Sequence, residues 1–409
     1  MLTILENASV VDVDTGELKP DCRIVLEDAK IAEVGAPPFS GSNARRIDLK
    51  GLSVMPGLID CHCHVLQSTS NLAALAVESP LYAAARAFEI MKGMLHRGFT
   101  TVRDAGGADF GIARAVAEGR VEGPRIIYCG KALTATGGHG DYRSGGQYYE
   151  DPSYWIPRIS RLCDGVSELR RAVRDEVRKG AHHIKIMANG GVASPTDRIT
   201  SDQYSEEEIA AVVDEAEMAG LYVMSHTYTA RSIQRAVRNG VRSIEHGNLA
   251  DEETLRLIKL KGAFLVPTLI IFKGLAEEGV ADGLPLELAG KLGNMMEKGM
   301  EVVEMAHRLG VQMAYGTDLI GAMHRRQSEE FELRADLVPA ADLVRSVTVT
   351  GARLIRRENE IGRVANGYRA DLIAVEGNPL ENVRLLANPS RNIKLIMQGG
   401  QIVKNETLH

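Results

Sequence analysis

The chain is poor in cysteine, in aromatic residues and in positive charge. Its 409 residues include 5 cysteines, a single tryptophan and 5% aromatics. Cys22, Cys61, Cys63, Cys129 and Cys163 are odd in number and scattered, which argues against a disulfide framework and fits reduced thiols in a cytosol. Lys and Arg total 48 against 54 Asp and Glu, a net charge of −6. No basic excess exists to neutralise phosphates, so a nucleic-acid binder is disfavoured. No apolar run approaches the length of a membrane span. The opening residues, Met1 to Asn7, carry neither a basic n-region nor an apolar h-region of a secretory signal. The expectation is a soluble cytoplasmic protein acting on a small molecule or dipeptide, without nucleic acid or membrane as partner. Its length, with 44% hydrophobic and 25% charged residues, suits one large α/β domain plus a smaller one.

What is present is a repeat. A helical stretch ends in a basic or polar residue, then a glycine, then a short apolar β-rich run. It appears at Arg97-Gly98, Lys179-Gly180, Gly220, Asn239-Gly240, Lys261-Gly262 and Gly310. Glycine takes the left-handed position that closes a helix, and a cation in the last turn complements the helix dipole. Ser205-Glu-Glu-Glu208 reads as a capping box opening the helix that closes before Gly220. Adding Val54–His64 and Arg125–Lys131 to these six runs gives eight strands separated by helices. Eight alternating β/α units predict a parallel sheet closed into a (β/α)8 TIM barrel over residues 55–360. An open doubly wound sheet is the second choice, and no G-x-G-x-x-G follows the first strand to support it. Residues 1–54 and 361–409 read as short strands and turns that cannot bury a core alone. They are expected to pair into one small β-sandwich domain.

Functional groups of such a barrel sit at the C-terminal ends of its strands. Strand 1 ends in His62-Cys-His64, and residues two apart on a strand share a face, so both imidazoles point inward. Strand 4 offers Lys185, strand 5 His226, strand 6 His246 and strand 8 Asp318. Each alone has a bland reading: a core histidine, a buried aliphatic stem, an N-cap for Asp318 in Gly316-Thr-Asp-Leu. Four histidines and a carboxylate converging at one end suit zinc or a similar divalent ion.

The run Met55-Pro-Gly-Leu-Ile-Asp-Cys-His-Cys-His64 resembles the first-strand signature of the amidohydrolase superfamily. Ser225-His226, Glu245-His246-Gly, Gly316-Thr-Asp318 and Gly367-Tyr-Arg-Ala-Asp-Leu-Ile extend the likeness across the barrel and into the C-terminal tail. Within that superfamily the chain is similar to the branch of imidazolonepropionase and the metal-dependent Xaa-Pro dipeptidases (prolidases). Thr100–Gly107, Gly137-Gly-His139-Gly and Ile184–Gly191 resemble the dipeptidase members.

This resemblance implies a hydrolase with two divalent metal ions, zinc first among the candidates. His62, His64 and Asp318 would hold the buried ion, His226 and His246 the exposed one, and Lys185, carboxylated, would bridge both. A metal-bridging hydroxide would attack the scissile carbonyl, with Asp318 as base and then acid. His139 would hydrogen-bond the developing oxyanion. Tyr228 would hold the substrate α-carboxylate, with Arg231 as a helper on the same loop. Deaminases of the superfamily carry a glutamate shortly after the strand-5 histidine, and His226-Thr-Tyr-Thr-Ala-Arg has none. Amide hydrolysis of dipeptides or N-acyl amino acids fits better. The apolar first half of Pro267–Gly279 favours an Xaa-Pro or N-acylproline substrate. Glu277 or Glu278 would instead suit Xaa-Arg or Xaa-Lys dipeptides, and a bulkier N-acyl aromatic amino acid stays open. A metal-free scaffold on the same fold should lack several ligands, and this chain keeps all six. Barrels of this kind often associate, so a homo-oligomer is expected.

Overall fold

The computed structural model describes residues 2–35, 44–143, 146 and 158–407. It divides into two compact units, one made of Met1–Asp60, Lys92–Val102 and Ser328–His409, the other of Cys61–Met91 and Arg103–Gln327. None of the helices among the described residues is long and apolar enough to cross a membrane.

The first unit is β-rich. Its eight-stranded sheet runs in the order Gln401–Asn405, Ile393–Gln398, Leu372–Val375, Ser53–Pro56, Leu2–Asp12, Glu17–Glu27 and Lys30–Gly35, with Arg45–Asp48 pairing beside Leu2–Asp12. The chain's two ends meet in this sheet, because Ser53–Pro56 and Leu372–Val375 are antiparallel neighbours. Every residue of Leu372–Val375 is fully buried, as expected for a central strand with a nearly continuous apolar sequence. Ile31 N–H donates to the Tyr368 carbonyl at 2.8 Å, and Lys30 bridges Arg369, so the sheet curls over a core that includes Leu5, Ile24, Leu26, Leu395 and Met397.

The second unit is α/β. Seven parallel-paired strands follow the order Ser160–Leu162, Ala132–Thr134, Ile184–Met187, Val223–Thr229, Ser243–Leu249, Phe264–Val266 and Gln312–Met313. Gly165–Arg178, Glu206–Met218, Ala230–Arg238, Glu252–Leu260 and Met295–Leu309 are the intervening helices. Residues 61–63 and 103–104, with Arg125–Tyr128, also lie in a three-stranded sheet of order Leu58–Cys63, Phe99–Asp104, Arg125–Tyr128. Two backbone bonds outside the regular ladders run between residues at and beside these strands: Cys61 N–H to the Tyr315 carbonyl, and His182 N–H to the Tyr128 carbonyl, both 2.8 Å.

Local sequence chemistry is realised where it was expected. Ser205 and Glu208 form the reciprocal capping box. The repeat glycines 98, 180, 220, 240, 262 and 310 all have positive φ between 65° and 93°. One element differs: Val54–His64 is two strands, Ser53–Pro56 and Leu58–Cys63, each in a different sheet. The break falls at Gly57, whose N–H donates to the Asp371 carbonyl at 2.8 Å. A Cβ there would lie 2.2 Å from Thr100 Oγ1, so only glycine lets the chain change sheets at this point.

Candidate active site

Leu58–Cys63 brings His62 and His64 to one end of the second unit. His62 Nδ1 lies 2.7 Å from Glu245 Oε2 and His64 Nδ1 lies 3.0 Å from the Gly106 carbonyl. With both Nδ1 atoms engaged, both Nε2 atoms face Asp318 Oδ1, each at 3.1 Å. His246 follows the same plan, its Nδ1 2.7 Å from Thr268 Oγ1 and its Nε2 2.9 Å from His226 Nδ1. His226 turns its Nε2 to the Gly190 carbonyl at 3.3 Å. Outer partners of this sort fix the ring orientation and leave the inner nitrogen to coordinate. His246 and Asp318 have φ of 67° and 56°, a left-handed conformation rare for such residues and typical of functional sites. Ligand atoms of His62, His246 and Asp318 lie within 4.8 Å of one another, a geometry that could hold a metal ion.

Burial sets the charges. It drives the His226 and His246 imidazoles well below their ordinary pKa, helped by neighbouring cations and rings. Burial would raise Asp318, but His62 and His64 hold it well below the carboxylate range. Lys185, 1% exposed, is pulled down to about 8 by desolvation against the pull of Glu245 and Asp318. The neutral His226 and His246 imidazoles, the ionised Asp318 carboxylate and a lysine whose charged form burial disfavours line one cleft with His62 and His64, and this donor set fits divalent metal.

His139 is buried, its ring stacked on His226 at 4.2 Å. Desolvation lowers it to about 4, so it is neutral near pH 7. Tyr228 is 4% exposed, with its ring 4.7 Å from His226 and 6.0 Å from Phe272. Burial pushes its phenol well above 10, which keeps the hydroxyl a donor. These residues line a cleft whose other walls include Leu72, Ile159, Ile271, Phe272, Leu275 and Ile320. The stretch after Phe264–Val266 is helical, Leu269–Gly274 and a wider turn Leu275–Gly279.

Residues 53–403 match the Amidohydrolase family. The chain belongs to the amidohydrolase family. It is 31% identical over 414 residues to an ochratoxinase of Aspergillus niger, covering 95% of this chain and 84% of that one. A crystal structure described as a prolidase complexed with N-methylphosphonate-L-proline superposes with a TM-score of 0.97 at 46% identity, over 99% of this chain and 100% of the other. A Xaa-Pro dipeptidase with bound methionine gives 0.88 at 30% identity, over 99% and 100%. This amidohydrolase is a hydrolase of amide or peptide bonds.

Of the residues singled out in the sequence, His62, His64, His139, Lys185, His226, Tyr228, His246 and Asp318 all line the one cleft. Arg231 is not among the residues lining this cleft; its side chain is 71% exposed and pairs with Asp202 at 2.7 Å. Glu277 and Glu278 are also engaged elsewhere, with Arg326 at 2.7 Å and Arg325 at 2.5 Å. Sequence reasoning missed the support beneath the amidohydrolase site. Fully buried Arg103 donates to Cys61 O at 2.5 Å and pairs with Glu245 at 2.9 Å. Glu245, which burial alone would raise, is held far below its usual pKa chiefly by Arg103 and His62. Asp104 accepts from the N–H groups of Val65, Gly106 and Ala108, tying together the loops that follow two strands. The signal was an Arg-Asp pair at the end of the β-prone run Phe99–Val102.

Proposed function

We propose that this amidohydrolase cleaves the amide bond of Xaa-Pro dipeptides and N-acylprolines at a two-metal centre. His62, His64 and Asp318 would hold one ion, His226 and His246 the other, and Lys185, as a carbamate, both. The carbamate accounts for an amine among ligands, since carboxylation replaces a cation with an anionic oxygen donor. When bound, two divalent ions, zinc among those this ligand set accepts, supply an ionised water near neutral pH and polarise a carbonyl.

The chain's own residues do the rest. Asp318, kept ionised by His62 and His64, accepts the proton released in the attack and delivers it to the leaving nitrogen. His139, a neutral donor, hydrogen-bonds the carbonyl oxygen as it gains charge. Tyr228 donates its phenolic proton to the α-carboxylate of the leaving amino acid. The walls made by Ile271, Phe272 and Leu275 enclose an apolar side chain such as the pyrrolidine ring and exclude water. The scaffold for this chemistry is read as a closed (β/α)8 barrel, a reading the Cys61–Tyr315 and His182–Tyr128 backbone bonds support, with a sandwich from residues 1–54 and 361–409.

The apolar cleft beside a full set of metal donors carries the reading. The likeness to the prolidase and Xaa-Pro dipeptidase structures supports it. The arginine partners of Glu277 and Glu278 weigh against a site for Xaa-Arg or Xaa-Lys. The test is release of amino acid from N-acetyl amino acids and Xaa-Pro, Xaa-Arg and Xaa-Phe dipeptides by zinc-loaded protein of measured metal content. Proline should be released fastest. Faster release of phenylalanine would move the assignment to N-acyl aromatic substrates, and preference for arginine would overturn the pocket argument.

A further inference from the structure

The groups that hold His139 come from two distant stretches of chain. The loop after Ile184–Met187 supplies Gly191, Ser194 and Asp197, and the segment Gly290–Asn294 supplies Lys291. Lys291 Nζ donates into this loop, reaching the carbonyls of Ser194 at 2.6 Å, Asp197 at 2.8 Å and Gly191 at 3.3 Å, with Asp197 Oδ1 at 3.2 Å. The other oxygen of Asp197 accepts the Gly191 N–H at 2.7 Å and lies 3.7 Å from His139 Nδ1. Ser194 Oγ accepts the Gly140 N–H at 3.0 Å and lies 2.7 Å from His139 Nδ1. Gly191 lets the ring approach the loop closely, since a Cβ there would be 2.2 Å from the His139 Cε1 and Nδ1 atoms.

We propose that Lys291 and Ser194 are positioning residues that clasp the loop around His139 and set its tautomer. The proposal rests on the oxyanion role given to His139 above. Ser194 receives Gly140 N–H on one lone pair and directs its hydroxyl proton to Nδ1, so the ring proton resides on Nε2, the nitrogen left for substrate. An ammonium carries three donors and no acceptor, which suits a cage of backbone carbonyls. Without it, the Gly191, Ser194 and Asp197 oxygens lose their common donor, the loop relaxes, and Ser194 moves with it. Because Lys291 spends its protons on the loop, it acts through His139 and does not touch substrate.

The experiment is a double-mutant cycle on the zinc-loaded enzyme, using Lys291→Met, Ser194→Ala and His139→Ala, with metal content and the imidazole ¹⁵N shifts of His139 as further readouts. His139→Ala should lower kcat by roughly 10²–10³-fold, as removal of one oxyanion donor does. Lys291→Met and Ser194→Ala should each lower kcat on the order of 10- to 100-fold with KM little changed, the scale of a misplaced group. In the His139→Ala background neither should reduce kcat further. The ¹⁵N shifts should report the Nε2–H form in the parent and its loss in Ser194→Ala, with both metals retained. Equal losses in both backgrounds, or an unchanged tautomer in Ser194→Ala, would overturn the clasp. An unaffected kcat in His139→Ala would overturn the role of His139 itself, and the ¹⁵N shifts would still decide whether the clasp sets the tautomer.

Discussion

Replacing Arg103 by methionine should damage metal binding and stability together, although Arg103 touches no proposed ligand. Arg103 and Glu245 are both 0% exposed, and Glu245 in turn meets His62 Nδ1 at 2.7 Å. Arg103→Met leaves the Glu245 carboxylate buried with the His62 ring and the Ser243 hydroxyl as its polar neighbours. Breaking one side of a buried ion pair costs about 3–5 kcal/mol. At roughly 2 °C per kcal/mol for a unit of this size, the melting temperature should fall by about 6–10 °C. Disturbing the outer partner of a ligating histidine should weaken the metal by about 10- to 100-fold. Thermal unfolding of metal-free and zinc-loaded protein reads the first effect, and competition with a zinc chelator the second. The decisive comparison is the double variant Arg103→Met/Glu245→Gln. A neutral amide oxygen still meets His62 and no charge is stranded, so the double should recover most of the stability lost by Arg103→Met alone. An unchanged melting temperature in Arg103→Met, or a double as unstable as the sum of its parts, would refute the argument.

Two other substitutions probe the cleft. Tyr228→Phe removes a donor to a charged group, worth about 1.5–3 kcal/mol, so kcat/KM should fall on N-acetylproline and stay near the parent value on N-acetylproline amide; equal losses would remove the phenol from carboxylate recognition. Gly191→Ala places a methyl 2.2 Å from the His139 ring, so the ring must shift at a cost of about 1–3 kcal/mol. Its kcat should drop with both metals retained, and an unaltered kcat would show that the position of His139 is immaterial.

What could be read in the sequence was what is local. Gly98, Gly180, Gly220, Gly240, Gly262 and Gly310 mark helix ends because a left-handed residue is a one-position requirement, and the structure gives each a positive φ. Ser205 and Glu208 are legible for the same reason, with both halves of the capping box three residues apart. His62, His64, His226 and His246 were found because strand ends, once placed, fix where a side chain converges. The switch of sheets at Gly57 was hidden, since its cause lies in Thr100 and Asp371. Arg103 and Glu245 pair across 142 residues, so neither announces its role in its own neighbourhood. Arg231, Glu277 and Glu278 carried plausible charge for a pocket, but pairing with Asp202, Arg325 and Arg326 was decided by partners that spacing does not reveal.

The antiparallel meeting of Ser53–Pro56 with Leu372–Val375 has a consequence for how the protein is made. Emerging from a ribosome, the opening strands are complete long before the strand that must lie beside them exists. Ser53–Pro56 keeps an open edge while more than three hundred residues of chain are still being added, and closing so long a loop is slow. The β-rich unit therefore completes its sheet only after Leu372–Val375 has been added, and until then the apolar edge of Ser53–Pro56 is exposed to chaperones, proteases and other nascent chains. Termination before Leu372 would leave Ser53–Pro56 paired on one side only, with Leu2–Asp12, so residues far down the chain govern the fate of an early strand.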